Sequence, residues 1–326
     1  MIMKDRARPG IEKVCDAGLR RLWPDNPVAG KLEERRKQAE AGFGGEERVD
    51  SVLAEYRHPG PIRIIPDVGL VCGSRFQLDV LVLTQSWACL LEVKNISGRS
   101  VIKDIPPQLV RITKDGREEA LGSPFAQLDS NLMLFRDWLH ERNTPIPVYG
   151  AVVFAYPSQM VEAAAATHPI LFPNRIPFFL RNLPGRPLLD EHDLNELTRQ
   201  VLVSHEPFVQ RPLCTMYPQV TERTVRTGVM CTACGEFGMR WRDRAWHCSC
   251  SCSCISRSAH VKAIQDWFHI FSGGMTNEEC RRFLEVEDRH AARRMMKSAG
   301  LIEKGKADGK PIINHDFGAL REGALF

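Results

Sequence analysis

The sequence predicts an α/β protein, a mixed sheet flanked by helices, followed by two smaller segments. Three observations carry this reading. Between residues 42 and 210, apolar runs rich in Val, Ile and Leu alternate with stretches of helical periodicity. Six of the eleven cysteines lie between Cys231 and Cys254, in a stretch with few aliphatic residues. From residue 258 helical periodicity returns and ends in a Gly- and Lys-rich hairpin pattern.

The elements follow in order. Residues 1–41 read as a charged N-terminal helical extension, broken by Pro24 and Pro27, with "KLEERRKQAEAG" a solvated helix. "GEERVDSVLAEY" puts Glu46, Val49 and Leu53 on one helical face. "PIRIIPDV", "FQLDVLVL" and "ACLLEVKN" read as strands, with turns at Gly73-Ser74 and Gln85-Ser86. "LVRITKDGREEAL" reads as a hairpin turning at Asp115-Gly116. "SPFAQLDSNLMLFRDWLHER" is a helix with Ser123 as cap and Pro124 at its first position. "VYGAVVFAY" is a buried strand, "IPFFLRN" a last strand, and a helix spans about Asp190 to Val203.

Composition bounds the function. A chain of 326 residues exceeds one ordinary core, and 43% hydrophobic with 26% charged residues is normal for globular proteins. A net charge of +4 permits a nucleic-acid partner without requiring one. No apolar run reaches membrane-span length and the start lacks an apolar signal core, so a cytoplasmic protein with no membrane partner is expected. Clustered cysteines, odd in total, read as metal binding in a reducing compartment.

Two apolar strands carry charges that need a reason. Asp79 interrupts "FQLDVLVL"; Glu92 and Lys94 interrupt "ACLLEVKN". Strand alternation puts Leu90, Glu92 and Lys94 on one face, and a hairpin of the two strands brings Asp79 to Glu92. Buried like charges repel, and a divalent cation relieves the repulsion; hard oxygen ligands suit magnesium or manganese. With Lys94 beside the metal, the set fits phosphodiester hydrolysis. An E-x-K tripeptide alone is common and reads as a structural ion pair. The Asp in the neighbouring strand, with Glu46 before and Gln127 after, favours catalysis.

"GEERV", "QLDVLVL", "LLEVKNISG" and "SPFAQLDSN", in that order, resemble the nuclease-related domain (NERD) family of the PD-(D/E)xK nuclease fold class. The resemblance covers roughly residues 42–155. It implies a restriction-endonuclease-like fold and a triad of Asp79, Glu92 and Lys94. It also implies that Glu46 assists metal or water binding and that Gln127 helps position the site. Asn131 stands where related nucleases often carry an aromatic. The implied function is a metal-dependent nuclease acting on nucleic acid, DNA foremost. The competing class is an inactive nuclease fold serving as a nucleic-acid-binding or regulatory scaffold.

"CTACG" at Cys231–Gly235 is a knuckle whose two-residue spacer turns both thiolates to one metal; zinc is expected, with a Cys₄ iron–sulfur cluster the alternative. The partner half, "WHCSCSCSC", offers Cys248, Cys250, Cys252 and Cys254 where two suffice. The "W-x-C … S-x-x-A-H" pattern, similar to C-terminal regions of this family, implies Cys248 and Cys252 beside Cys231 and Cys234, with Cys250 next in line and His247 a possible substitute. Residues 214–256 thus read as a small structural zinc ribbon.

Residues 258–326 give three helices: "AHVKAIQDWFHIF", with a stripe of Val261, Ile264, Phe268 and Phe271; "TNEECRRFLEV", opened by a Thr276–Glu279 capping box; and "EDRHAARRMMKSAG", ended by Gly300. "LIEKGKADGKPII" adds two short strands around Asp308-Gly309. This resembles a winged-helix α+β module. DNA contacts would then fall to Arg289, Arg293 and Arg294 on the third helix and Lys304, Lys306 and Lys310 on the wing. A solvated surface or a protein-interaction module is the other reading.

Overall fold

A computed structural model of the chain describes residues 1–314 except 145, 164, 165, 308 and 309. In chain order the elements are α1 (Gly10–Arg21), α2 (Pro27–Glu55), β1 (Ile62–Cys72), β2 (Ser74–Thr84), β3 (Ala88–Lys94), β4 (Arg99–Asp104), β5 (Pro107–Ile112), β6 (Glu118–Gly122), α3 (Pro124–His140), β7 (Val148–Phe154), β8 (Met160–Ala163), β9 (Ile170–Leu171), α4 (Ile176–Arg181) and α5 (Glu191–Ser204). They continue with α6 (Leu213–Met216), β10 (Arg240–Arg242), β11 (Ala245–His247), β12 (Ile255–Ser256), α7 (Ala259–Ile270), α8 (Asn277–Leu284), α9 (Arg289–Ser298), β13 (Ile302–Ala307) and β14 (Lys310–Asn314). The chain forms two compact units, Met1–Pro9 with Gln38–Phe208, and Gly10–Lys37 with Val209–Phe326.

The first unit is a mixed α/β structure. Its main sheet has the order β1-β2-β3-β7-β9; the first three strands are antiparallel, and β3, β7 and β9 run parallel. Successive β2 residues split between two cores. Leu81 and Leu83 join Phe125, Leu128 and Phe135 of α3, while Val80 and Val82 join Val49 and Leu53 of α2. This is the period-two signature of a sheet covered on both faces. A second sheet, β6-β5-β4-β8, extends from the strands that follow β3. Ser123 caps α3 by accepting the Ala126 N–H, and Asp190 with Asp193 forms a capping box at α5.

Two expectations change. "IPFFLRN" is helical as α4, not a strand: Pro177 lies in the first turn, and Ile176 and Leu180, four apart, are the residues it buries. The solvated helix and the Glu46 helix are one element, α2. Pro27 starts it, Asn26 Oδ1 accepts the Val28 N–H, and Gly42, Gly44 and Gly45 are accommodated within it.

The second unit has one core, shared by Val14 and Cys15 of α1, Ile264 and Trp267 of α7, Phe283 of α8 and Met296 of α9. The stripe expected on α7 is rotated, since Ala263 and Trp267 are buried whereas Val261 is only partly so. Arg21, 1% exposed, binds the buried Asp266 at 3.0 Å and donates to the carbonyls of Arg226 and Gly228. The β10-β11-β12 sheet, whose flanking loops carry the cysteines, joins the helices through a relay. Trp246 Nε1 donates to His260 Nδ1 at 3.0 Å, and His260 Nε2 lies 2.7 Å from Ser298 Oγ, which donates to the Met295 carbonyl. Burial lowers the His260 pKa to about 4, so the ring is neutral with its proton on Nε2. The Thr276–Glu279 capping box is present at α8. β13 and β14 pair as an antiparallel hairpin; its Asp308-Gly309 turn lies outside the described residues.

One glycine sets where α2 meets the strand ends. A Cβ on Gly45 would stand 2.7 Å from Asn95 Cβ and 3.1 Å from Ala155 Cβ. Gly45→Val is therefore expected to destabilise the first unit by about 1–3 kcal/mol in denaturant titration, because overpacking forces helix and strand apart.

Candidate active site

The antiparallel pairing of β2 and β3 has Val80 opposite Leu91 as its last pair. The next residues are Asp79 and Glu92. Asp79 does not continue the ladder with its backbone; its Oδ2 accepts the Val93 N–H at 2.8 Å. Glu92, 2% exposed, accepts from Lys94 Nζ at 2.6 Å. Lys94 Nζ also donates to Gln127 Oε1 of α3 at 3.0 Å. One turn along α3, Asn131 Nδ2 donates to the Gln77 carbonyl at 3.0 Å and so ties the helix to β2. Asp79, Glu92, Lys94 and Gln127 thus share one neighbourhood, and Glu46 enters it from α2, close enough for its charge to act on Glu92.

Sequence reasoning missed Arg6. Met1–Met3 runs beside β1, with the Met3 N–H donating to the Ile64 carbonyl. This strap delivers Arg6, whose side chain is 5% exposed. Its Nε and Nη2 bind the two Asp50 oxygens at 2.7 and 3.0 Å, Nη1 binds Glu46 Oε2 at 2.7 Å, and Nη2 reaches the Asp79 carbonyl at 2.9 Å. Lys4, two residues earlier, pairs with Asp67 at 3.8 Å. The available signal was the two-residue spacing of Lys4 and Arg6, the period of an extended segment.

The five carboxylates Glu46, Asp50, Asp67, Asp79 and Glu92 share three cations, Lys4, Arg6 and Lys94. Burial, then the Asp79 charge, pushes Glu92 up to about 8 against the opposing pull of Lys94. Burial and Asp79 likewise raise Glu46 to about 7, with Arg6 opposing. Burial raises Asp79 as well. Burial pulls Lys94 down, but Glu92 and Asp79 outweigh it and keep its pKa above the ordinary value. Surplus negative charge on hard oxygens fits a divalent cation. The oxygens of Asp79, Glu92 and Glu46 are, as a trio, spaced more widely than the 4.8 Å within which the four cysteine sulfurs of the second unit fall.

The second unit brings Cys231, Cys234, Cys248 and Cys252 within 4.8 Å of one another. Cys231 and Cys252 lie 3.7 Å apart, as do Cys234 and Cys248. A tetrahedron with 2.3 Å zinc–sulfur bonds has edges of about 3.8 Å, so the set fits zinc. The Ala233 N–H points at Cys231 Sγ, and Gly235, at φ +76°, closes the knuckle. His247 is not in the set. Arg289, Arg293 and Arg294 are exposed on α9, whose buried residues are Ala291, Ala292, Met295 and Met296. The side chains of Lys304, Lys306 and Lys310 lie outside the described residues.

The first unit is thus a mixed sheet with two acids and a lysine at the ends of two neighbouring strands. Residues 41–155, about a third of the chain, match the family model described as nuclease-related domain, and this segment is such a domain. Comparisons with curated proteins and with solved structures returned no match.

Two outcomes follow from the electrostatics. Arg6→Ala leaves Asp50 and the Asp79 carbonyl without their partner and is expected to cost about 3 kcal/mol in chemical denaturation. The pH dependence has a definite sign. Glu92 and Glu46 hold their protons more tightly in the native site than at the ordinary value of 4.5. Their contribution to stability is complete below about 4.5 and is lost as pH rises through about 7 to 8. Metal-free protein should therefore melt at a lower temperature above that window than below it in calorimetry, and Glu92→Gln should narrow the difference.

Proposed function

We propose that the first unit is a divalent-metal-dependent nuclease of the PD-(D/E)xK, restriction-endonuclease-like type, hydrolysing phosphodiester bonds in DNA. The observation that carries this reading is the chain of contacts Glu92–Lys94–Gln127 beside the half-buried Asp79. Asp79 and Glu92 would hold magnesium or manganese, which when bound polarises the phosphoryl oxygen and makes its water a stronger nucleophile. Lys94 holds a full positive charge where negative charge develops on the phosphoryl group and orients the attacking water. Gln127 fixes the Lys94 ammonium through its Oε1. Glu46, with one oxygen held by Arg6, keeps its other oxygen for a water at the same site.

The second unit supplies binding rather than chemistry in this reading. The four cysteines hold a structural zinc ion in a ribbon, and α7, α8, α9 and the β13–β14 hairpin act as a winged-helix-like module. Arg289, Arg293 and Arg294, with Lys304, Lys306 and Lys310, contact phosphates. Each such contact removed should flatten the salt dependence of DNA affinity by about one unit of slope.

Purified protein assayed on linear, circular, single- and double-stranded substrates with magnesium, manganese or chelator tests the proposal. Metal-dependent cleavage is expected. Asp79→Ala and Glu92→Ala should abolish it, and Lys94→Ala should slow it on the order of 100-fold. Absence of cleavage on every substrate, with DNA binding retained, would instead establish the scaffold reading. Elemental analysis should find one zinc per chain; iron with sulfide would replace the ribbon by a cluster.

A further inference from the structure

The stretch from Cys231 to Cys254 holds two more thiols than a tetrahedral ion takes, and one of them, Cys250, lies against the site. Cys250 is outside the four-sulfur set, yet its Sγ lies 2.7 Å from Cys248, 2.9 Å from Cys234 and 3.7 Å from Cys252. The two short separations are inside the about 3.5–4.0 Å of ordinary non-bonded carbon contacts, and sulfur is larger than carbon. Cys250 therefore cannot sit beside a filled site as a passive neighbour. It either displaces a ligand or swings clear. Cys248 and Cys254 pack against the core of the second unit and hold the two ends of this stretch, whereas Cys250 and Cys252 lie between them outside that core, so a swap between these two disturbs no packing.

Access separates the thiols around Cys250 from those in the cores, although Cys231 is buried and Cys214, outside the cluster, is half-buried. Cys15, Cys72, Cys89 and Cys280 are buried in apolar cores. Cys234 and Cys252 are exposed, and Cys248 and Cys250 are half-buried. A small oxidant reaches the cluster and is excluded from the cores.

We propose that Cys250 is a reserve thiol that makes the four-sulfur site an oxidation-sensitive clasp, responsive to hydrogen peroxide. The proposal rests on the zinc reading given above. Cys250 attacks the peroxide: a sulfur–oxygen bond forms, the oxygen–oxygen bond breaks, and sulfenic acid and one water result. The ligand thiolate of Cys234 or Cys248 then attacks that sulfur; a disulfide forms, the sulfur–oxygen bond breaks, and the leaving hydroxide takes a proton from solvent. The two sulfurs lose two electrons to peroxide, and the Cys250 proton and that solvent proton end in the two waters. Either disulfide removes one member of the four-sulfur set. In the reduced chain the same thiol replaces Cys252 when that ligand is lost.

The test uses the full chain, purified with its zinc, as wild type, Cys250→Ser, Cys252→Ser and the double variant. Elemental analysis should find one zinc in the wild type and in each single variant, and none in the double variant. On addition of hydrogen peroxide, a chromogenic chelator should report zinc release from the wild type, and peptide mass spectrometry should find a disulfide joining Cys250 to Cys234 or Cys248. Zinc release from Cys250→Ser should be slower by at least about tenfold, since Cys254, the other spare thiol of the stretch, has Thr232 Oγ1 as its Sγ neighbour. Release from zinc-loaded Cys250→Ser at the wild-type rate would overturn the reserve role, as would zinc loss from either single variant before oxidation. A wild type without zinc would overturn the zinc reading itself and the reserve role with it.

Discussion

Carboxylates buried at the ends of two adjacent strands cannot all keep their charge unless cations meet them. The first unit is arranged around this constraint. Its ladder stops at Val80 and Leu91, and Asp79 then uses its side chain to take the Val93 N–H. Lys94 folds back on Glu92, Gln127 steadies Lys94, and Arg6 spans Glu46, Asp50 and the Asp79 carbonyl. Even so, Glu92 and Glu46 remain raised to about 8 and about 7. Each of Glu46, Asp79 and Glu92 has one oxygen in a hydrogen bond, and the site stays over-supplied with carboxylates. A site serving stability alone would be better filled with apolar groups.

The strand part of this site was legible in the sequence because side-chain alternation is a local property. Glu92 and Lys94 share a face at any location of that strand, and a short hairpin forces the register that meets Asp79. Gln127 and Asn131 were legible for the same reason on a helix. Arg6 was not, since its partners Glu46, Asp50 and Asp79 lie 40 or more residues away and nothing in "MKDRARPG" fixes their distance. "IPFFLRN" misled because a short apolar run fits strand and helix alike. Its one proline, Pro177, was the better guide, and it lies in the first turn of α4.

The second unit shows the same division. Caps and periodicity identified α8 and α9 from local residues. Assembly was not legible. Residues 10–37 contribute Val14, Ala17 and Leu32 to a core with residues from Val220 to Leu301, a join that no local pattern signals. The Arg21–Asp266 pair and the Trp246–His260–Ser298 relay join pieces that the sequence presents as separate segments. The knuckle at Cys231 was plain from its spacer, whereas the choice among Cys248, Cys250, Cys252 and Cys254 needed the sulfur positions.

The central claim is that the surplus charge at Asp79 and Glu92 is there to hold a divalent cation. The most direct measurement is an anomalous-difference map from crystals of the protein grown with manganese. The account predicts one strong peak bonded to the Asp79 and Glu92 carboxylates, with the Lys94 ammonium released from its short contact with Glu92 toward a metal-bound water. A map with no peak at these carboxylates and an unchanged Lys94–Glu92 ion pair would contradict it.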